Sequence, residues 1–446
     1  MRVLKFGGTS VGDAERIRGV AEIVRGRAAR GPVVLVVSAQ AGVTNHLIDL
    51  ASRAAKAPVE PTELRRRLTG LLADLSLDDF LVDEEMDELA TLLRGISLVG
   101  DLTPRSLDRM MSFGERASVR IVAAALAAGG IPARPFMAYE CGLLTDASYG
   151  GAHVEPESYQ KIPEALAPAL REGALPVVTG FIARDRDGYI TTLGRGGSDY
   201  SAAIFGAALG ADEIEIWTDV DGVMTADPRM VPSARSLDVL SFAEAAELAY
   251  YGAKVLHPAT IQPAVRKNIG IRVLNTMRPD HPGTLILREH PAPAVGSAAP
   301  AVRSIASKKG ITAVHVTSHR MLLQYGFMRR MFESFERHQV VIDMISTSEV
   351  SVSVTTDNPR NLPSVEADLR EFAEVRVEPA KAILCLVGAA LRDAPDVLTR
   401  VFATLERASI PVRMVSVGAS RINVSLLVDE SDERPAVAAL HREFFP

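Results

Sequence analysis

The sequence of 446 residues contains only two cysteines, Cys141 and Cys385, and no long apolar run. Two cysteines are too few for a disulfide framework and are compatible with a reducing cytosol. No apolar run approaches the roughly 18 residues that a membrane-spanning helix needs. The first residues read as a strand and lack the charged and apolar regions of a signal peptide. We therefore expect a cytoplasmic protein with no membrane partner.

A cluster of basic residues is also lacking. The formal net charge is −6, and it is spread along the chain. No electrostatic footprint for nucleic acid is visible, so no nucleic-acid partner is expected. The composition is that of a globular protein, with 47% hydrophobic and 23% charged residues, and the length favours two to four domains.

The first 288 residues show the pattern of an α/β domain. Short apolar runs alternate with alanine-rich, helix-like stretches, which indicates a largely parallel sheet sandwiched by helices. The apolar runs are 33–37, 175–178, 214–217 and 284–287, and the helix-like stretches are 115–128 and 199–209. Between about 46 and 110, charged segments with regularly spaced leucines predict a helical lobe. A stretch rich in proline and alanine, 289–301, then predicts a linker.

The remaining chain contains an internal repeat. When the sequence is shifted by 70 positions, Met344 falls on Met414. Each copy reads as strand, helix, strand, strand and helix, but only the first copy, 311–380, ends with a further strand. The segment 302–307 can supply the strand that the second copy, 381–446, lacks. We therefore predict two interleaved domains, the second completed by chain from before the first.

A glycine-rich turn follows the first strand. Lys5, Gly7 and Gly8 precede a helix that we expect to begin near Asp13. Adjacent glycines let backbone N–H groups approach an anion, a helix N-terminus adds partial positive charge, and a mobile lysine completes a site that suits a polyphosphate. The GxxxxGK[ST] spacing of nucleoside-triphosphate loops is absent, and a strand-to-helix turn with an incidental lysine explains the pattern equally well.

A second glycine-rich turn spans residues 191–200. It places Arg195 between two glycines, where the guanidinium can form a bidentate pair with a carboxylate. Ser198 and Asp199 can bind polar substrate groups or merely cap the following helix. Capping does not explain why an arginine is flanked by glycines.

A third polar segment, 217–229, follows a strand. Loops at the carboxyl ends of strands are where open α/β sheets bind nucleotides. A calcium-binding loop is the competing interpretation, but the terminal glutamate that such a loop requires is missing. We therefore expect a nucleotide-binding loop.

Together with four further segments, these motifs resemble aspartate kinases, and they occur in the same order. The further segments are 38–45, 113–115, 179–182 and 252–258. The resemblance covers nearly the whole chain, and the repeated part is similar to the paired ACT domains of single-function, lysine-sensitive members. It implies an amino-acid-kinase fold followed by two interleaved ferredoxin-like ACT domains.

The resemblance implies transfer of the γ-phosphoryl group of ATP to the β-carboxylate of L-aspartate, the first step of lysine, threonine and methionine biosynthesis. ATP would be the cofactor, with Mg²⁺ held mainly by the nucleotide phosphates rather than by a protein metal site. Met224 stands where many relatives have tyrosine.

The resemblance also assigns site residues by position. Those assigned to catalysis are Lys5, Gly8 and Asp199. Those assigned to aspartate binding are Thr44, Glu115, Phe181, Arg195, Ser198 and Asp199, and those assigned to nucleotide binding are Lys5, Gly7, Gly8, Thr218, Asp219, Arg229 and Lys254.

The chemistry of aspartate agrees with these roles. Its α-carboxylate needs a cation and its ammonium an anion, and Arg195 and Glu115 supply them. The β-carboxylate has a reference pKa of about 3.9, so it is already an ionised nucleophile and needs no general base. Two alternatives remain, a glutamate-type amino-acid kinase and an amino-acid sensor whose kinase domain has decayed.

The first repeat also predicts a regulatory site. Polar, turn-forming residues interrupt the apolar pattern at 321–328 and 342–349, which a helix cap and solvated strand ends explain equally well. The resemblance implies an amino-acid effector there, at an interface in a homodimer or dimer of dimers formed through the ACT domains. Two acidic groups favour L-lysine as the effector. Gln324 stands where a small hydroxyl residue is expected, so threonine is kept as the alternative effector. The residues assigned to the effector are Met321, Gln324, Phe327, Met328, Ile342, Asp343, Ser348 and Glu349.

Overall fold

The protein is described from a computed structural model of the chain. The description covers residues 1–251, 258–289, 300–318, 321, 325–389, 391, 394–418, 420 and 422–446. The described residues form two compact units. The first draws on Met1–Val223, Asp238–Phe242 and Val255–His290, and the second on Met224–Leu237, Ala243–Lys254 and Pro291–Pro446.

The first unit is an α/β structure. Its strands are β1 (Arg2–Phe6), β2 (Val33–Val37), β3 (Ala133–Phe136), β4 (Leu175–Thr179), β5 (Ile182–Arg184), β6 (Ile190–Thr192), β7 (Glu213–Thr218), β8 (Val239–Ser241), β9 (Gly270–Asn275) and β10 (Thr284–Leu287). Its helices are α1 (Ala14–Ala28), α2 (Val43–Ala54), α3 (Thr62–Leu75), α4 (Asp83–Val99), α5 (Pro104–Ala128), α6 (Ser158–Arg171), α7 (Gly197–Leu209) and α9 (Gln262–Lys267).

Eight of these strands form one sheet in the order β3-β4-β2-β1-β7-β9-β10-β8. All neighbours are parallel except β9 and β10. Strand β2 reads VVLVV and is buried at every position, as a central parallel strand covered on both faces must be. The central β1 lies between β2 and β7, with Lys5 in register with Val36 and Ile216. The predicted, largely parallel sheet is confirmed.

The predicted helical lobe, about 46–110, corresponds to α2, α3, α4 and the first two turns of α5. Leucines four residues apart, such as Leu68 and Leu72 on α3 and Leu89 and Leu93 on α4, are buried in the core. The Thr103 side chain caps α5 by accepting the Ser106 N–H, and the helix then runs for 25 residues. None of the described helices combines the length and the apolar character needed to cross a membrane.

The second unit contains a six-stranded antiparallel sheet in the order β12-β13-β11-β14-β16-β15. Its strands are β11 (Ser304–Thr317), β12 (Ile345–Thr347), β13 (Ser351–Thr356), β14 (Glu374–Val387), β15 (Met414–Val417) and β16 (Asn423–Asp429). Its helices are α10 (Phe327–Arg337), α11 (Leu362–Arg370), α12 (Asp396–Arg407) and α13 (Glu433–Phe444), together with all of α8 (Phe242–Tyr250) except its first residue.

The two long strands belong to both repeats. The first part of β11 pairs with the last part of β14, Ser304 facing Val387, and the last part of β11 pairs with the first part of β14, Thr317 facing Glu374. These two pairings are related by the 70-residue shift of the repeat. The segment before the first repeat therefore completes the second, so the predicted interleaving is confirmed.

Two segments from within the predicted catalytic range, 224–237 and the described residues of 243–254, belong to the second unit. Ala226 and Val231 lie in the hydrophobic core of the second repeat. The carbonyl of Thr225 accepts the Ile305 N–H at 2.8 Å, and its hydroxyl contacts Nε2 of His441 at 2.9 Å. The range 1–288 therefore does not correspond to one compact unit. The other predicted boundaries stay predictions, and residues 290–299 of the predicted linker lie outside the described part of the chain.

Candidate active site

The first glycine-rich turn leaves the end of β1 as predicted. Phe6 stacks on Trp217 of β7 with ring centroids 5.7 Å apart, and the Gly7 N–H donates to the Trp217 carbonyl. Helix α1 then begins, and the Asp13 side chain caps it by accepting the Arg16 N–H. The buried Lys5 is thereby fixed on the strand just before the turn, with its ammonium 2.6 Å from Oδ1 of Asp199.

Gly8 lies against the segment that follows β2. A Cβ atom at Gly8 would be 2.6 Å from the Ala39 carbonyl oxygen, closer than real Cβ contacts come. The Gly8 carbonyl accepts the Ala41 N–H at 3.0 Å. The turn needs glycine here because two backbone segments meet without room for a side chain.

Glu115 projects from the middle of α5 and is 3% exposed. One carboxylate oxygen accepts the Ala39 N–H at 3.1 Å, and the other has no hydrogen-bond partner among the described residues. Burial, opposed by the Ala39 hydrogen bond, raises the pKa of Glu115 to about 8. The group is therefore a buried carboxyl with unused capacity to bind a cation.

The second glycine-rich turn packs against Phe181. A Cβ atom at Gly197, the first residue of α7, would be 2.6 Å from the Phe181 ring. Phe181 has a φ of 67°, in the left-handed region that a large side chain rarely adopts. The Ser201 hydroxyl accepts its N–H, and its carbonyl accepts the Leu193 N–H. Such strain, held by the surroundings, is typical of functional sites.

Asp108 supports this turn and has no counterpart in the sequence-based predictions. It is buried on α5 and accepts the N–H groups of Gly150 and Thr192 and the Thr192 hydroxyl. Burial raises the pKa of Asp108, although these hydrogen bonds oppose the shift. The carboxylate thus anchors the strand that leads into the glycines, a role that a lone acidic residue in a helix does not signal.

These elements line a cavity of about 410 Å³ that is open to solvent. Of the predicted site residues, Lys5, Gly8, Thr44, Glu115, Phe181, Ser198 and Asp199 line it. The lining that sequence reasoning did not assign comprises Ser38, Ala39, Gln40, Ala41, Gly42, Asn45, Gly194, Gly196 and Gly197. All of these belong to the motifs at 38–45 and 191–200, so the two motifs themselves are the sequence signal for this part of the lining.

Other predicted residues lie elsewhere. The Arg195 side chain is exposed and does not line the cavity, although its glycine neighbours do. Thr218 ends β7 and its hydroxyl donates to Asp219 at 3.2 Å. Arg229 belongs to the second unit, where it pairs with Asp227 at 2.6 Å. Lys254 falls outside the described residues.

The predicted effector residues of the second unit have different surroundings. Phe327 is buried, and Met321, Met328 and Ile342 are partly buried against the same core. Ser348 and Glu349 are exposed beside the edge strand β12, with the Ser348 hydroxyl 2.7 Å from that of Ser351. The Asp343 side chain is only 2% exposed. Gln324 is not among the described residues.

The fold and the cavity define an amino acid kinase with a C-terminal pair of ACT units. Residues 1–275 match the amino acid kinase family, and residues 314–366 and 384–444 match the ACT domain. The chain belongs to the aspartokinase family. It is 38% identical over 461 residues to the chloroplastic aspartokinase 3 of Arabidopsis thaliana, covering 99% of this chain and 81% of that protein.

Two further comparisons lead to the same family. The lysine-sensitive aspartokinase 3 of Escherichia coli K12 is 35% identical over 464 residues, covering 99% of both chains. The crystal structure of E. coli aspartokinase III in complex with aspartate and ADP superposes with a TM-score of 0.82 at 34% identity, covering both chains completely. The predicted fold, with its amino-acid-kinase and ACT parts, and the predicted function, aspartate kinase, are confirmed.

Proposed function

We propose that phosphoryl transfer from ATP to the β-carboxylate of L-aspartate takes place in the 410 Å³ cavity. The observation that supports this most directly is the pairing of opposite charges on its walls. The Lys5–Asp199 ion pair lies on one side, and Glu115, buried with one unpaired oxygen, also lines the cavity. These charges are complementary to a substrate that carries an ammonium and two carboxylates.

Lys5 is proposed to bind the transferring phosphoryl group. Because the β-carboxylate is already ionised, the barrier is set mainly by bringing two anions together, and a positioned cation lowers it. Asp199, 2.6 Å from the ammonium, would hold Lys5 in place. The Gly8 backbone N–H would contact the phosphates, whereas the Gly7 N–H already donates to the Trp217 carbonyl and Gly7 would shape the turn. Mg²⁺, held mainly by the nucleotide, would neutralise the remaining phosphate charge.

Glu115 is proposed to bind the ammonium of aspartate, and Thr44, Phe181 and Ser198 to complete its pocket. Arg195 is proposed to bind the α-carboxylate, which requires its exposed side chain to turn toward the glycines beside it. Gly194 and Gly196, which both have positive φ angles, carry no Cβ atom that would obstruct this movement. Thr218, Asp219, Arg229 and Lys254 stay the proposed nucleotide contacts.

The test is an ADP-release assay on the purified chain with ATP, Mg²⁺ and aspartate, glutamate or N-acetylglutamate. The acyl phosphate product is trapped by hydroxylamine as a hydroxamate. Aspartate-dependent ADP release with matching hydroxamate formation is expected, at least tenfold above the other acceptors. A preference for glutamate would identify a different acceptor. If no acceptor stimulates ADP release, the alternative of a non-catalytic amino-acid sensor would be supported.

We further propose that the ACT units bind L-lysine at an interface between subunits of a homodimer or dimer of dimers, and that this inhibits the kinase in the cytoplasm. Support comes from Asp343, whose second carboxylate oxygen is buried and has no hydrogen-bond partner among the described residues. A titration of activity with lysine, threonine and both together tests this. Inhibition by threonine alone would replace lysine as the effector, and insensitivity to both would remove the regulatory role.

A further inference from the structure

Gln40 is the least satisfied polar side chain of the cavity. It follows Ala39 directly, lines the cavity and is 2% exposed. Neither its amide nitrogen nor its amide oxygen has a hydrogen-bond partner among the described residues. Buried side-chain amides in folded proteins nearly always have partners, because removing them from water is otherwise costly.

The backbone around Gln40, in contrast to its side chain, has hydrogen-bond partners. The Gln40 carbonyl accepts the Val43 N–H, the Ala41 N–H donates to Gly8, and the Ala39 N–H donates to Glu115. The segment is therefore fixed by its main chain alone. An apolar side chain of the same length would occupy the position at a lower free energy, so packing does not explain an amide here.

The same hydrogen bonds place Gln40 between two functional groups. The residue before it is bound to the proposed ammonium ligand, Glu115, and the residue after it is bound to Gly8 of the turn proposed to hold the phosphates. An acceptor amino acid that spans these groups has its side chain beside Gln40. An amide can donate to a carboxylate and accept from an ammonium, which are the two kinds of group this substrate carries.

We infer that Gln40 is a specificity residue whose side-chain amide binds the acceptor amino acid. This rests on the proposed function of the cavity. The amide fixes the distance between the ammonium and the carboxylate that is phosphorylated, and so favours aspartate over the longer glutamate. The motif at 38–45 contains Gln40 without giving it a role, and the inference assigns that role to the side-chain amide.

The test is Gln40→Met, which keeps the length of the side chain and removes the amide. The expected result is a melting temperature of the free enzyme equal to or above that of the wild type, with a KM for aspartate raised at least tenfold and a KM for ATP within twofold. The thermal stabilisation by added aspartate should fall accordingly. Gln160→Met, at an exposed position of α6, is the matched control and should change none of these values.

The outcomes separate the alternatives. A lower melting temperature with an unchanged KM for aspartate would show that the amide is structural and would overturn the inference. A raised KM for ATP alone would assign Gln40 to the nucleotide and would overturn it as well. If the wild type itself phosphorylates no aspartate, the proposed function fails. If it does and Gln40→Met behaves like the wild type, only the inference fails.

Discussion

The hydroxyl of Tyr250 donates a hydrogen bond of 2.7 Å to Oδ1 of Asp343. The same carboxylate oxygen is 3.1 Å from the Lys308 ammonium, which also lies 4.8 Å from the centre of the Tyr250 ring. Burial, and then the bond to Asp343, raises the pKa of Tyr250. One carboxylate oxygen of Asp343, an aspartate that the sequence assigned to an effector, is therefore already occupied within its own unit.

The first prediction concerns Tyr250→Phe. An effector ammonium that binds Asp343 must compete with the Tyr250 hydroxyl, so removing that hydroxyl leaves the carboxylate more available. We expect the half-inhibitory concentration of lysine to fall by roughly fivefold, which corresponds to about 1 kcal/mol, while uninhibited turnover stays unchanged. Lysine titrations of the wild type and the variant measure this.

The matched control is Tyr189→Phe, at a half-exposed tyrosine of the first unit. It should not change the response to lysine. If Tyr250→Phe also leaves the lysine response unchanged, the hydrogen bond to Asp343 has only a structural role within the second unit. A loss of inhibition rather than an increase would mean that the hydroxyl helps to bind the effector instead of competing with it.

The second prediction concerns the pH dependence of aspartate use. The pKa of Glu115 in the free enzyme is about 8, so this carboxyl is mostly protonated at pH 6 and ionised at pH 9. Binding the substrate ammonium requires the ionised form. We therefore expect kcat/KM for aspartate to rise about tenfold per pH unit at low pH and to level off above about pH 8, since this ratio reports the free enzyme.

Glu115→Gln checks the assignment. The variant should lose this pH dependence and should lower kcat/KM at pH 9 by about 10- to 150-fold, the value of a charge-assisted hydrogen bond of roughly 1.5–3 kcal/mol. ATP affinity should not change. A variant with the same rise through pH 8 would show that another group titrates.

The third prediction links the same residue to stability. A carboxyl whose pKa is raised on folding, here from 4.5 to about 8, destabilises the folded state as pH rises between these two values, because only the unfolded chain ionises freely. The loss is at most about 1.4 kcal/mol per pH unit. The free Glu115→Gln variant should therefore melt at a higher temperature than the wild type at pH 9. A lower melting temperature at pH 9 would contradict the raised pKa.

The fold was largely predictable because its signals are periodic. Strand β2 is a continuous apolar run, the lobe helices carry leucines at helical spacing, and the repeat has a constant shift of 70 that reappears in the pairing of β11 with β14. Such signals can be found in the sequence without any knowledge of distant contacts. The grouping of 224–237 and 243–254 with the second unit depends on distant contacts and has no local signature.

The candidate site was predictable in part. Glycines around charged residues marked both turns, and these turns do meet at one cavity. The partner of each charged group was not predictable, because Lys5 and Asp199 are brought together only by the packing of α7 against β1. The unpaired amide of Gln40 could not be inferred either, since hydrogen-bond satisfaction is a property of the folded structure.

The fourth prediction tests the close approach of Gly8 to Ala39. Gly8→Ala should abolish most activity, because the new Cβ atom would be only 2.6 Å from the Ala39 carbonyl oxygen and would push the turn away from it. We expect turnover to fall at least tenfold with a stability loss of about 1–3 kcal/mol. Gly19→Ala, on α1 with open space around it, is the control and should retain activity. Normal turnover of Gly8→Ala would show that the turn need not approach this segment.

The last prediction separates catalysis from stability at the Lys5–Asp199 pair. Both side chains are mostly buried, being 11% and 16% exposed, so Lys5→Met leaves the carboxylate without its cation. We expect turnover below a tenth of the wild type and a stability loss of about 1–3 kcal/mol. Adding Asp199→Asn removes the unpaired charge, so the double variant should regain stability but not turnover.

Lys161→Met, which breaks the exposed pair with Glu157, is the control and should affect neither stability nor turnover. Melting curves and single-turnover rates measure the two effects. Recovery of turnover in the double variant would show that Lys5 only neutralises Asp199, whereas the proposed role requires the lysine charge itself at the transferring phosphoryl group.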